Sequence, residues 1–249
     1  MRFCPCASGL QPDPAKKSKL KEDLNDLVHN KPWIILFLLC LVTLIYVAIR
    51  SSVIMYYFKY YVGNTEAASA FMVVGTLFVL LGVLPTKWLS EKIGKKKLYI
   101  ICMAIVTLSS SGFILAGPDS IVLIYTLQII FSLASGPTMP LLWSMLADVA
   151  DYSEFKNDRR ATGLVYSAST FSQKAGFSLG GVISMGILSL FGYTAGVAQT
   201  DLSLLGIRLS LSVVPAVFAV AAMVLLFFYK LDDATVLEIE AELAKRKAN

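Results

Sequence analysis

Residues 33–61 read WIILFLLCLVTLIYVAIRSSVIMYYFKYY. Arg50 and Lys59 are the only charges in this run, which exceeds the roughly 20 apolar residues a helix needs to cross the hydrocarbon core of a bilayer. Five more apolar segments follow, at about 67–89, 98–116, 121–146, 161–191 and 204–229. Six such runs predict an all-α, polytopic membrane protein with six transmembrane helices. The fourth and fifth read as long, kinked spans. Pro137 and Pro140 interrupt one, and Gly176, Gly180 and Gly181 lie in the other, where a break in the backbone needs neighbouring helices to satisfy it.

Composition agrees with this reading. The 249 residues are 56% hydrophobic and 16% charged, with a mean hydropathy of +0.68. A soluble domain carries about 45–50% apolar and about 25% charged residues, so a soluble globular enzyme is excluded. With 16 Gly, 9 Pro and 4 Cys, collagenous, disordered and disulfide-scaffold classes are excluded as well. His29 is the single histidine. Cys4 and Cys6 lie in a polar tail, Cys40 and Cys102 in apolar runs. Two thiols alone make a poor metal site, so no metal and no cofactor is expected, and the cysteines read as reduced thiols. There is no apolar h-region near Met1, hence no cleavable signal peptide is expected.

The net charge of +5 does not point to nucleic acid, because the cations fall between apolar spans. Eighteen of the 22 lysines and arginines lie in the N-terminal tail, the second and fourth connections, and the C-terminal tail. The intervening loops 63–66, 117–120 and 192–203 carry none. The positive-inside rule then places both termini in the cytoplasm of a cell (plasma or inner) membrane. Three regions follow: a cytoplasmic segment 1–32, a six-helix bundle 33–230, and a cytoplasmic helix 231–249. Residues 20–29 suit a short amphipathic helix. Val236, Ile239 and Leu243 share one face of the C-terminal helix, whose acid-to-base order suits the helix dipole.

Charges inside spans usually face a water-filled cavity or a partner. Lys174 lies about 13 residues into the fifth span, roughly 20 Å along the axis. Ser167, Thr170 and Ser178 recur at helical spacing beside it, and Tyr166, Ser169, Gln173 and Gly176 form an adjacent stripe. Together they predict one hydrophilic face able to hydrogen-bond a polyhydroxylated ligand and to respond to a coupling cation. The plainer reading is a structural lysine paired with a carboxylate, but no Asp or Glu lies deep in these spans. Arg50 suits either the same cavity or an outward reach past the tyrosines at 56, 57, 60 and 61. Lys59 reads as an interfacial anchor.

Two junctions suit a cytoplasmic gate. In one, Glu91 is placed to bridge a neighbouring helix end and Gly94 permits a tight turn before Lys95-Lys96-Lys97; a plain positive-inside loop is the simpler reading. In the other, Asp148, Asp151, Glu154 and Asp158 meet Lys156, Arg159 and Arg160, a network able to hold helix ends in one state and release them in another. Oxygen ligation of a metal by Asp148, Asp151 and Glu154 is disfavoured by those three cations. Gly176 and Gly180 suit close helix packing.

Several of these stretches resemble a known family. Ala147-Asp148 through Tyr152, Glu154 and Arg160, the Thr170 to Lys174 helix and Phe191-Gly192-Tyr193 resemble the glycoside–pentoside–hexuronide:cation symporters. These form the melibiose-carrier branch of the major facilitator superfamily. Asn30-Lys31-Pro32-Trp33, with Arg50 and the Tyr56–Tyr61 cluster, is similar to that family's seventh helix. Gly94-Lys95-Lys96-Lys97 is similar to the superfamily's loop between helices eight and nine. The resemblance implies that the six spans are helices seven to twelve, the C-terminal six-helix bundle of the major facilitator fold. It further implies that Lys174 stands in the central cavity with Thr170, Ser169 and Gln173 near it, and that Asp151, Glu154 and Arg160 belong to the cytoplasmic ionic network. The sugar-stacking tryptophan of the melibiose carrier is not matched, since Trp143 is displaced by about one turn.

The expected function is therefore sodium- or proton-coupled sugar or glycoside symport by alternating access, and not enzymatic. The implied partners are the sugar substrate, membrane lipid and an N-terminal six-helix half, in the same natural chain or in trans; nucleic acid is not among them. The alternatives are a truncated or split-gene membrane fragment without transport of its own, and a membrane-embedded enzyme.

Overall fold

The computed structural model describes residues 27–157 and 162–248. The expectations for Cys4, Cys6, Arg159, Arg160 and most of the 20–29 helix lie outside them. The described residues are helical and contain no strand. In chain order the helices are α1 (Lys31–Tyr56), α2 (Thr65–Val83), α3 (Thr86–Ile93), α4 (Lys95–Gly112), α5 (Ile121–Ser135), α6 (Thr138–Asn157), α7 (Thr162–Leu190), α8 (Asp201–Leu211), α9 (Val213–Phe228) and α10 (Asp233–Ala248).

Local chemistry sets many of the boundaries. Asn30 caps α1 by accepting the Trp33 N–H at 3.3 Å, with Pro32 in the first turn, where its missing N–H costs nothing. A π-helical turn, Tyr57–Val62, extends α1. Asn64 caps α2 through the Ala67 N–H. Pro85 separates α2 from α3, so the second apolar run is two helices rather than one. Gly94 joins α3 to α4 at φ +88°, a conformation that a side chain resists.

Five helical stretches are long and apolar enough to cross a membrane: 31–62, 65–83, 95–115, 121–156 and 201–228. They match the first, second, third, fourth and sixth expected spans. The remaining one, α7, has 29 residues and a length of roughly 43 Å. It falls short only in apolarity, because it carries the serines, Thr170, Gln173 and Lys174. The fourth span breaks at Gly136–Pro137 and then continues as α6 to Asn157. Asp148, Asp151 and Glu154 therefore sit on a helix, not in a connecting loop.

α1 runs through the centre and packs most closely on α7. Small residues make that approach possible. A Cβ at Gly176 would meet the Leu41 carbonyl at 2.5 Å, and one at Gly180 the Ile45 carbonyl at 2.6 Å. Ser172 Oγ crosses the same seam to donate to the Phe37 carbonyl at 2.7 Å. One apolar cluster fills the half of the bundle toward α10, including Leu36, Leu142, Leu146 and Leu226. A second fills the half toward the 57–62 turn, including Phe58, Phe71, Phe113 and Leu211. α10 buries Val236, Ile239 and Leu243 rather than lying free in solvent, and it docks on α6, where Arg246 covers the Phe155 ring at 5.0 Å.

Candidate functional site

α7 has two opposite faces. Ser169, Ser172, Gly176, Gly180 and Ser184 form the buried face. Ser167, Thr170, Lys174 and Ser178 form an exposed stripe turned away from α1. Helical geometry dictates this split, since residues three and four apart share a side. The expected hydrophilic face therefore divides. Ser169 is fully buried, and its hydroxyl donates to the Val165 carbonyl at 2.8 Å, so it faces the helix seam and not the stripe. Gln173 is half-buried, with Nε2 beside Cys40 Sγ at 4.0 Å. Ser167 and Thr170 donate to the Leu164 and Tyr166 carbonyls, which leaves their oxygen lone pairs as acceptors. Lys174 is exposed. Tyr166 stacks on Trp143 of α6, with ring centroids 5.8 Å apart and planes at 19°, at the end of the stripe.

Arg50 lies on the opposite side of α1 and is 3% exposed. Its Nη1 donates to the Leu211 carbonyl at 3.0 Å and its Nη2 to Gln128 Oε1 at 2.6 Å. The guanidinium lies between the Phe131 and Phe113 rings, 3.9 and 4.5 Å from their centroids. The free carbonyl has a clear origin. Pro215 lacks the N–H that would bond to Leu211 four residues earlier, and the chain breaks there into α8 and α9. Ser110 Oγ donates to the neighbouring Ser212 carbonyl at 3.0 Å. Arg50 also lines a hollow of about 420 Å³ between α1, α2 and α5, with Ser51, Thr76, Gln128 and Ser132. The structure thus separates Arg50 from Lys174: α1 stands between them.

The two ends of the bundle differ in charge. At one end Lys95 Nζ donates to both oxygens of Asp148, at 2.8 and 2.7 Å, joining α4 to α6. Lys96 Nζ donates to the Tyr229 carbonyl at 2.5 Å, and Gly94 sets the turn that delivers both lysines. Asp151 and Glu154 follow Asp148 at three-residue spacing and are half-buried. Among the described residues Glu91 makes no ion pair with a neighbouring helix. Its carboxylate lies 3.9 Å from Lys87 on the same exposed face of α3, because the Gly94 turn points α3's outer side to solvent. At the other end the contacts are mostly aromatic and polar. Tyr61 donates to the Ala116 carbonyl, Tyr60 and Tyr193 meet at 3.4 Å, and Arg208 donates to the Ile114 carbonyl. Lys59 lies 4.9 Å from the Tyr60 ring centroid. Among the described residues no three His, Cys, Asp or Glu side chains gather as a metal site requires.

A family model described as "MFS/sugar transport protein" matches residues 8–233. The chain belongs to that family. It is 34% identical over 241 residues to the isoprimeverose transporter of Lactiplantibacillus pentosus, a match covering 94% of this chain and 50% of that one. It is 32% identical over 232 residues to the glucuronide carrier protein homolog of Escherichia coli, covering 92% and 50% respectively. An uncharacterized 29.9 kDa protein of Pseudescherichia vulneris is 32% identical over 186 residues, covering 74% and 68%. Apart from such short relatives, the chain spans about half the length of the curated relatives it matches.

The residues around Arg50 were not among those expected from the sequence. Gln128 and Thr76 sit in apolar runs with no motif about them. The available signal was Gly75, where a Cβ would collide with Gln128 Nε2. A lone glycine facing a lone glutamine across two helices marks a buried polar contact. Tyr166 was expected as a cavity residue, but its pairing with Trp143 was not.

Proposed function

We propose that the chain supplies the C-terminal half of a symporter that carries a sugar or glycoside with sodium or a proton by alternating access. On this reading it sits in a cell membrane with both termini cytoplasmic. An N-terminal six-helix half, in the same natural chain or in trans, faces α7. The observation that carries the proposal is the stripe of Ser167, Thr170, Lys174 and Ser178, exposed on a helix otherwise built to span the bilayer. An ammonium and hydroxyls held on a rigid helix suit the hydroxyl groups of a sugar, and lipid offers them nothing. Matching about half of each longer relative supports a missing second wall for that cavity. Asp148–Lys95, with Asp151, Glu154, Arg159 and Arg160, then serves as the ionic contact that one transport state keeps and another releases.

Gradient-driven uptake of labelled glycosides tests this, in cells that lack other carriers and supply the N-terminal half. Lys174→Ala should abolish coupled uptake while leaving the amount of protein in the membrane unchanged. Unchanged uptake in that variant would remove Lys174 from the site. No uptake by the unaltered protein under either cation gradient would favour a membrane fragment without transport of its own.

A further inference from the structure

At the lysine-rich end a hollow of about 600 Å³ opens between the first turn of α1, the last turn of α6 and the end of α9. Lys31 of α1, Lys156 of α6 and Lys230, two residues past the end of α9, stand around it over a floor that includes Ile34, Ile35 and Phe228. Among the described residues no aspartate or glutamate lines it. The neighbouring hollow at Lys95–Lys97 differs, for it contains Glu91 and Asp232, and Lys95 and Lys96 are bonded to Asp148 and to a carbonyl. Among the described residues no ion pair involves Lys31, Lys156 or Lys230.

Helix-end electrostatics account for two of these lysines but not the third. Lys156 and Lys230 lie at helix C-termini, where a cation is favoured. Lys31 is the first residue of α1, where the same dipole disfavours it. Three like charges around one hollow that no described acid lines call for an anion among them. The floor selects the kind of anion. Phe228, 66% exposed, ends a row on α9 in which Val217, Val220, Val224 and Phe227 are also exposed. On a membrane-spanning helix that row faces acyl chains.

We propose that this hollow binds an anionic phospholipid, its phosphate held by Lys31, Lys156 and Lys230 and its chains laid along Phe228 and the α9 row. Basic pockets between spanning helices at this depth suit such headgroups. The bound lipid ties together the ends of three helices that are far apart in sequence. This inference stands whether or not the protein carries sugar.

The test uses the protein purified as the source cell makes it, in nanodiscs of equal phosphatidylglycerol and phosphatidylcholine, with retained lipid counted by native mass spectrometry. The unaltered protein should retain phosphatidylglycerol preferentially. Each lysine near an anionic surface is worth roughly fivefold, so the triple variant Lys31→Gln, Lys156→Gln, Lys230→Gln should lose up to about a hundredfold in preference. The triple Lys→Arg variant should keep the preference, which separates charge from folding. Lys245→Gln, on α10 and paired with Glu242, should also keep it. Equal retention of the two lipids, or an undiminished preference in the glutamine variant, would overturn the proposal. Displacement of the lipid by free glycerol phosphate would overturn it too, since the site would then read a headgroup alone.

Discussion

Arg50 sits where a bilayer offers nothing to hydrate it, and a carbonyl, an amide and two aromatic rings stand in for water. A guanidinium suits that role because its planar fork donates in two directions while its faces lie on π-systems. Arg50→Lys should therefore behave as a damaging change. A single ammonium lacks the planar fork that meets Leu211 and Gln128 from two nitrogens, and a lost hydrogen bond to a charged group costs about 1.5–3 kcal/mol. Thermal unfolding of the detergent-solubilised protein would register the loss, and Gln128→Ala should show a similar one. Sequence placed Arg50 either in the cavity or reaching outward to the interface, and neither describes it fully. Its acceptor is a carbonyl that Pro215 frees 161 residues along the chain, a relation invisible from its neighbours. Lys174 was easier to read, because its surroundings are its own helix.

Among the elements, the α1–α7 seam gives the sharpest contrast. Gly176 and Gly180 touch the backbone of α1, whereas nothing lies within 4 Å of the position a Cβ would take at Gly181. Gly180→Ala should destabilise by about 1–3 kcal/mol through overpacking. Gly181→Ala should be neutral, or stabilising by up to about 1 kcal/mol from helix propensity. Thermal scans of the two single variants distinguish them. The spacing of small residues in the sequence picked out Gly176 and Gly180 for close packing, but not α1 as the helix they touch. The α4–α6 tie is a second case. Asp148→Asn should cost about 1–2 kcal/mol, less than a fully buried pair because the Lys95 side chain is 27% exposed. Glu91→Gln should change stability by less than about 0.5 kcal/mol, as expected of a carboxylate whose one ion pair lies on its own exposed helix face. Both are measurable in the same scans. The sequence grouped Glu91 with Asp148 by charge type, whereas the direction in which α3 faces decides between them.

At the scale of the whole molecule, the lysine-rich and aromatic ends make opposite demands on the two sides of a bilayer. A cysteine placed at Lys97 and one placed at Val197 should be labelled by an impermeant thiol reagent from opposite sides of the membrane, the second from outside intact cells. Labelling of both from the same side would contradict the expected orientation. The number and order of the apolar spans were legible because membrane crossing demands length and apolarity that few residues can disguise. The breaks at Pro85 and Ser212 were not; the second depends on what α1 and α4 offer to the freed backbone. α7 is less apolar than its companions because serines and glycines line its seam with α1 and Thr170, Gln173 and Lys174 add polar groups elsewhere.

The break between α8 and α9 also bears on the history of the chain. Pro215 frees a carbonyl, Arg50 occupies it, Gln128 shares Arg50, and Gly75 leaves room for Gln128. A lineage that exchanged Pro215 for alanine would close the helix over Leu211 and leave a buried cation with half its partners. These four positions, on four different helices, should therefore vary together among descendants of a common ancestor. A relative that has lost one of them is the place to look for compensating replacements at the other three.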